Sequence, residues 1–213
     1  DYKTSYMDAD EIEKNRGITI FADQAVFNFE GDTYYLIDTP GHVDFSAETE
    51  RSIQALDYAI LLISGSAGVE AHTRTLFHIL KSYGIPIFIF INKADMENFN
   101  LEAVLKDIES KLTGDIIYIS SIDEILRMDK KVVEFAAERD ENFLEGYLEE
   151  NYTVDTLKST LVSLMKKLEC FPVMSGSALK GTGIGSFLEV FSYLSPTDYK
   201  RKEKSPFSGK VYK

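Results

Sequence analysis

Apolar and polar positions along the chain fall into a strand–helix rhythm with one interruption. From 21 to 29, Ala25, Phe27 and Phe29 lie on one side and Val26 and Asn28 on the other, the period of a half-buried strand. Glu30-Gly31-Asp32 supplies a turn, and Thr33 to Ile37 reads as a second strand, so the pair predicts a β-hairpin. Residues 45–55 carry helical spacing, with Phe45, Thr49 and Ile53 on one stripe. Tyr58 to Ile63 is a continuous apolar strand. Residues 70–83 follow as a helix whose stripe is Leu76, Ile79, Leu80 and Tyr83. Ile85 to Ile91 is a second buried strand, followed by a helix near 100–112. Strands apolar on both faces and alternating with helices predict an α/β fold, a mostly parallel sheet with helices on both faces.

Residues 114–170 break the rhythm. They are acidic and helix-rich, and read as a helical insertion. Phe171 to Met174 resumes the sheet and Ile184 to Leu194 closes it with a helix. The domain is thus expected over 1–195, with the inserted subdomain at about 114–170. Residues 196–213, with the charged run Lys200 to Lys204, read as a linker leading into the first strand of a following domain. Residues 1–16 are polar and charged, and predict a mobile segment.

Composition narrows the class. With 44% hydrophobic and 27% charged residues, the chain sits with soluble globular proteins. Its longest apolar run, Ile85 to Ile91, is far too short to span a bilayer. A net charge of −12 argues against bulk attraction to DNA or to membranes. The single cysteine, Cys170, has no partner for an internal disulfide and reads as a small buried side chain, consistent with a reducing cytoplasm. No leader is visible at the start, and the first residue is Asp1 rather than methionine, so a piece of a longer protein is expected.

The candidate chemistry falls at strand ends. In an open parallel sheet the carboxyl edge is where ligands bind, and three loops are expected to converge there, after Ile37, Ile91 and Met174. Asn92-Lys93-Ala94-Asp95 has the groups to read guanine. A carboxylate at Asp95 accepts from both N1–H and the 2-amino group. Adenine lacks that amino group and would leave the charge unpaired. Lys93 can lie along base and ribose, and Asn92 can tie neighbouring loops together. Gly176-Ser177-Ala178-Leu179-Lys180 offers backbone N–H groups to the base oxygen, from Ser177, Ala178 and Leu179.

Asp38-Thr39-Pro40-Gly41-His42 is more specific. Asp38 would hold a water of a Mg²⁺ shell, since Mg²⁺ keeps several waters. Gly41 lets its backbone N–H approach a γ-phosphate closely. His42 stands where Ras-type GTPases place a water-positioning glutamine. Thr19, in Arg16-Gly17-Ile18-Thr19-Ile20, can offer its hydroxyl to Mg²⁺. A histidine or threonine alone in a loop is ordinarily a surface residue. The order and spacing relative to Asp38 give these two the functional reading. His72 and His78, with no carboxylate or cysteine paired to them, read as surface or packing residues.

In this order, Glu13 to Ile20, Asp38 to Phe45 and Asn92 to Asp95 resemble the translational GTPases of the elongation factor G group. Ala59 to Ser64, Thr73 to His78 and Gly84 to Pro86 are most similar to the tetracycline-resistance ribosomal protection proteins. Elongation factor G itself and peptide-chain release factor 3 are the rival types. The resemblance implies a P-loop-NTPase-like fold, GTP/GDP and Mg²⁺ as ligands, and a catalytic role for His42, oriented by the sarcin–ricin loop of the ribosome. It also implies a phosphate-binding loop, G-x-x-x-x-G-K-[ST], between a first strand and helix. No such motif occurs in the 213 residues; the nearest, Gly176 to Thr182, has threonine where lysine is needed. The first strand, loop and helix are therefore expected to be missing. A non-hydrolysing, truncated interaction module is the alternative reading of the chain.

Overall fold

The computed structural model describes residues 23–39, 52–197 and 199. The expected helix at 45–55 lies mostly outside them, as do residues 1–16 and the tail beyond 199. The chain divides into two compact units, with the hairpin in one and the parallel sheet in the other.

The hairpin pairs β1 (Asp23–Phe29) with β2 (Asp32–Asp38) antiparallel, Phe27 opposite Tyr34. Those two rings stack with centroids 5.2 Å apart. Glu30 and Gly31 both have positive φ, 49° and 87°, the handedness a two-residue hairpin loop needs to match strand twist. Gly31 adopts it freely; Glu30 is held there by the ladder on either side.

The second unit is a four-stranded sheet of β3 (Ala59–Ser64), β4 (Ile87–Asn92), β5 (Ile116–Tyr118) and β6 (Phe171–Ser175), in the order β3-β4-β6-β5. All its pairs are parallel. β4 lies between two neighbours, and Ile87 to Ile91 are buried without exception. Alternate residues of the sheet face opposite layers. On one side Phe77 of α1 (Ala71–Ser82) meets Phe171 at 5.2 Å. On the other, Phe187 of α7 (Ile184–Leu194) meets Phe90 at 5.2 Å. α2 (Leu101–Lys111) follows β4 and is capped by the Asn100 side chain, which accepts from the Ala103 N–H at 3.0 Å.

Three details depart from the sequence reading. The stripe of α1 is anchored by Phe77 and Leu80, while Tyr83 stands exposed just past its end. β3 is buried on one face only: Ala59, Leu61 and Ile63 are covered, but Leu62 is 61% exposed. Among the described residues β3 is an edge strand without a neighbour on its far side, so the two-faced burial expected for it does not hold. The break at 114–170 is also less complete than its composition suggests, because Ile116–Tyr118 is a strand of the main sheet. Three residues are too few for a legible period.

The helices after β5 are α3 (Asp123–Leu126), α4 (Lys130–Ala137), α5 (Glu141–Leu148) and α6 (Val154–Lys166). α6 opens on a reciprocal cap, in which the Thr153 and Thr156 hydroxyls accept each other's backbone N–H. Leu157, Leu161 and Leu164 of α6 join Phe88, Phe90, Phe187 and Val190 in one buried cluster. The helical stretch thus shares the core of the sheet. Cys170 is fully buried, and burial pushes its thiol pKa up, as a packing residue requires. Among the described residues no helix is long and apolar enough to cross a membrane.

The chain leaving α7 is fastened back to the entry of β3. The Tyr58 hydroxyl donates to the Pro196 carbonyl at 2.9 Å, and the Tyr199 hydroxyl donates to the Asp57 carboxylate at 2.7 Å. The bond to Asp57 pushes the Tyr199 pKa up to about 12. Because the native value is raised, this contact supports the fold fully below the free tyrosine value near 10 and is lost as pH rises through about 12. The difference absorbance titration of wild type against Tyr199→Phe should therefore show one phenol ionising near 12. Asp57→Asn should bring it down; no change would mean the contact does not form.

Candidate base-reading site

The site is assembled at the carboxyl ends of β4 and β6, adjacent strands in the sheet. Asn92 is the last residue of β4, and its side-chain oxygen accepts two backbone N–H groups, Lys93 at 2.8 Å and Ala178 at 2.9 Å. One carboxamide thus joins loops 86 residues apart. Backbone bonds reinforce the junction: Ala94 N–H donates to the Gly176 carbonyl and Gly176 N–H to the Ile91 carbonyl, both at 2.9 Å. Lys93 sits at φ 64°, a left-handed turn that takes the chain sharply off the strand. Its side chain is exposed beside the junction.

Asp95 follows that turn and is half-buried. The Ser177 hydroxyl is the leading cause of a pKa below the ordinary value for its carboxylate; the Lys180 ammonium, 3.3 Å away, also lowers it. Ser177 itself is buried, and its oxygen accepts the Lys180 N–H at 3.3 Å. Asp95 is therefore an ionised, oriented acceptor, the species required to take two donors from one base edge.

Of the three amides expected to face a base, two are engaged within the protein. Ser177 N–H donates to the Thr182 carbonyl at 2.9 Å and Ala178 N–H to Asn92. The Leu179 N–H makes no bond among the described residues, and the Leu179 side chain is 73% exposed. Leu179 is thus the one amide of the three that no group among the described residues engages, a distinction invisible before the loop is folded. The loop has little room to move. A Cβ on Gly176 would lie 2.9 Å from the Phe90 ring and 3.2 Å from the Gly183 Cα.

Two further contributors carry no motif signal. Asp107 of α2 accepts the Val69 N–H at 2.7 Å and pairs with Lys111 at 2.8 Å, which pins the loop after β3. The spacing of Asp107 and Lys111 on a helix is the one hint in the sequence. Gly65, next to Asn92, packs so closely that a Cβ would meet Phe99 at 2.8 Å.

Asp38 is the last residue of β2, in the hairpin unit. Thr19, Gly41 and His42 lie outside the described residues. The expected convergence of three strand ends is therefore described for two of them, those at Asn92 and Ser177. The base-reading set fits guanine, since an ionised acceptor and an unengaged N–H stand on adjoining loops. For Mg²⁺, only Asp38 of the expected pair is described. Among the described residues no group of three or more His, Cys, Asp or Glu is placed to hold a metal. His78 is exposed, and His72 is half-buried with neither ring nitrogen hydrogen-bonded among the described residues, a packing position.

A parallel α/β sheet carrying these two loops defines a guanine-nucleotide domain, and residues 1–197 match the elongation factor Tu GTP binding domain. The chain belongs to that family. Among its relatives are the tetracycline resistance protein TetM from transposon Tn1545 of Enterococcus faecalis, 38% identical over 224 residues, and TetS of Listeria monocytogenes, 38% identical over 210. The first alignment covers all of this chain and 34% of the relative, the second 92% and 32%. The chain thus spans about a third of the length of these relatives. A crystal structure of a Thermus thermophilus protein superposes with a TM-score of 0.81 at 24% identity, over 93% of this chain and 36% of that one, which supports the fold.

Proposed function

We propose that the chain is the guanine-reading and switch portion of a ribosome-dependent GTPase of the ribosomal protection type, acting in the cytoplasm. The observation that carries this is the Asn92 carboxamide joining the loop of Asp95 to the loop of Leu179. On this reading Asp95 takes N1–H and the 2-amino group, the Leu179 N–H meets the base oxygen, and Lys93 lies along base and ribose. Thr19 and Asp38, the latter through water, hold Mg²⁺, which neutralises phosphate charge when bound. Gly41 contacts the γ-phosphate and His42 positions the attacking water once the ribosome's sarcin–ricin loop orients it. Growth of cells carrying the full-length gene under tetracycline tests the protection role. An unchanged susceptibility would return the choice to an elongation factor G or release factor 3 type.

Among the described residues β3 has no neighbour on its far side and Leu62 is 61% exposed, which fits a nucleotide fold whose phosphate loop and flanking strand are not among them. A phosphate loop, whose motif does not occur in the 213 residues, would supply charge-assisted bonds of about 1.5–3 kcal/mol each. Losing three removes about 4–9 kcal/mol, which turns micromolar affinity into millimolar or worse. The 213-residue chain is therefore expected to bind GTP in the millimolar range at best and not to turn it over. Titration with a fluorescent guanine nucleotide checks this, and sub-micromolar binding with Mg²⁺ would refute it.

A further inference from the structure

The geometry points to a second claimant for the base-reading carboxylate: we propose that Lys180 competes with guanine for Asp95 and so tunes how tightly the base is held. The inference rests on the assignment of Asp95 as the guanine reader.

The Lys180 ammonium stands 3.3 Å from the Asp95 Oδ2. The Asp95 side chain is only 19% exposed, so little of the carboxylate is open to an incoming donor, and Lys180 already stands at one of its oxygens. The Ser177 hydroxyl, from the protein side, also favours the ionised carboxylate. A carboxylate has about four acceptor positions. Two of them, one on each oxygen, are needed to pair with N1–H and the 2-amino group of guanine. A base that pairs with both oxygens must therefore push the ammonium off Oδ2 or share the oxygen with it.

Lys180 can yield. Its side chain is 60% exposed, while its backbone is fixed by the N–H bond to Ser177 Oγ and by the turn that Ser177 and Thr182 close. The ammonium thus swings about an anchored Cα, and displacing it forfeits one solvent-screened ion pair. Pairs of that kind are worth enough to change an equilibrium by about two- to five-fold. Because the competitor is ionic and the base is neutral, salt should weaken Lys180 more than it weakens guanosine.

The test uses uncharged guanosine, with adenosine as control, and the full 213-residue chain. Binding is read from amide shifts of Ala178 and Leu179 in wild type and in Lys180→Met. The expected result is guanosine held about two- to five-fold tighter by Lys180→Met, with the Asp95 carboxyl carbon titrating at higher pH. Raising salt should narrow the gap by improving wild type. Lys180→Arg, which keeps the charge, should behave as wild type. Equal or weaker binding by Lys180→Met, with both amides still responding, overturns the competition while leaving Asp95 as the reader. If guanosine shifts neither protein, the guanine assignment of Asp95 falls, and this inference with it.

Discussion

In the full-length protein, Asp95→Ala should weaken GDP binding by about 10²- to 10⁴-fold. Two charge-assisted bonds to the base edge are removed together, and no neighbour among the described residues can replace them. Lys180, the nearest charged group, is a donor like the base itself. Preference for GDP over ADP should collapse along with affinity, because the rejection of adenine depends on leaving that carboxylate unpaired. Asp95→Asn keeps the shape but offers one acceptor oxygen, and should fall between. Competition of GDP and ADP against a fluorescent guanine nucleotide measures both quantities. If Asp95→Ala retained its discrimination within a factor of a few, base reading would have to lie elsewhere.

The second large effect falls on stability. Gly176→Ala should lower stability by about 1–3 kcal/mol, a fall in melting temperature of about 2–12 °C for a chain of this size. The reason is space. The added Cβ runs into the Thr182 carbonyl, the Phe90 ring and the Gly183 Cα, two of them backbone that cannot rotate aside. Because the Gly176 carbonyl also accepts the Ala94 N–H, the shift should disturb the Asp95 loop as well. Gly181→Ala is the control. Its φ of 68° disfavours a side chain, but the space is open, so the cost should be about 1–2 kcal/mol of local strain. A thermal melt of the two variants against wild type decides it. Equal stability of Gly176→Ala and wild type would mean the loop packs more loosely than described.

Legibility tracks physical redundancy. The run Ile87 to Ile91 is apolar at every position because β4 is buried on both faces and both edges, and β6, flanked by β4 and β5, repeats the pattern from Phe171 to Met174. The motif Asn92 to Asp95 is readable because it sets a carboxamide, a cation and a carboxylate within four residues at a strand end. β5 is not readable: three residues at the margin of a sheet carry no period. The α1 anchor, Phe77, is obscured by equally apolar neighbours at Leu76 and Ile79. The half-bare face of β3 depends on which element lies alongside, which the strand's own residues cannot report. Lys180 and Asp107 act through the tertiary approach of one loop or helix to another, so their roles appear only once the fold brings them together. The amide of Leu179 belongs to the same class, since which N–H remains open follows from the bonds its neighbours make.

The 86-residue separation of Asn92 and Ala178 also sets an order in time. Closing a contact of that span is slow compared with forming the helices in between, because the loop entropy must be met before the contact rewards it. During synthesis the domain emerges from its N-terminal end, and β6 is the last of the described strands to arrive. Asp95 is then made long before Ser177 is available to orient it. For most of its synthesis the nascent domain has no formed guanine pocket, and nucleotide can stabilise only the finished sheet. A ligand that needs both loops can act only as a clasp on the completed fold, not as its template.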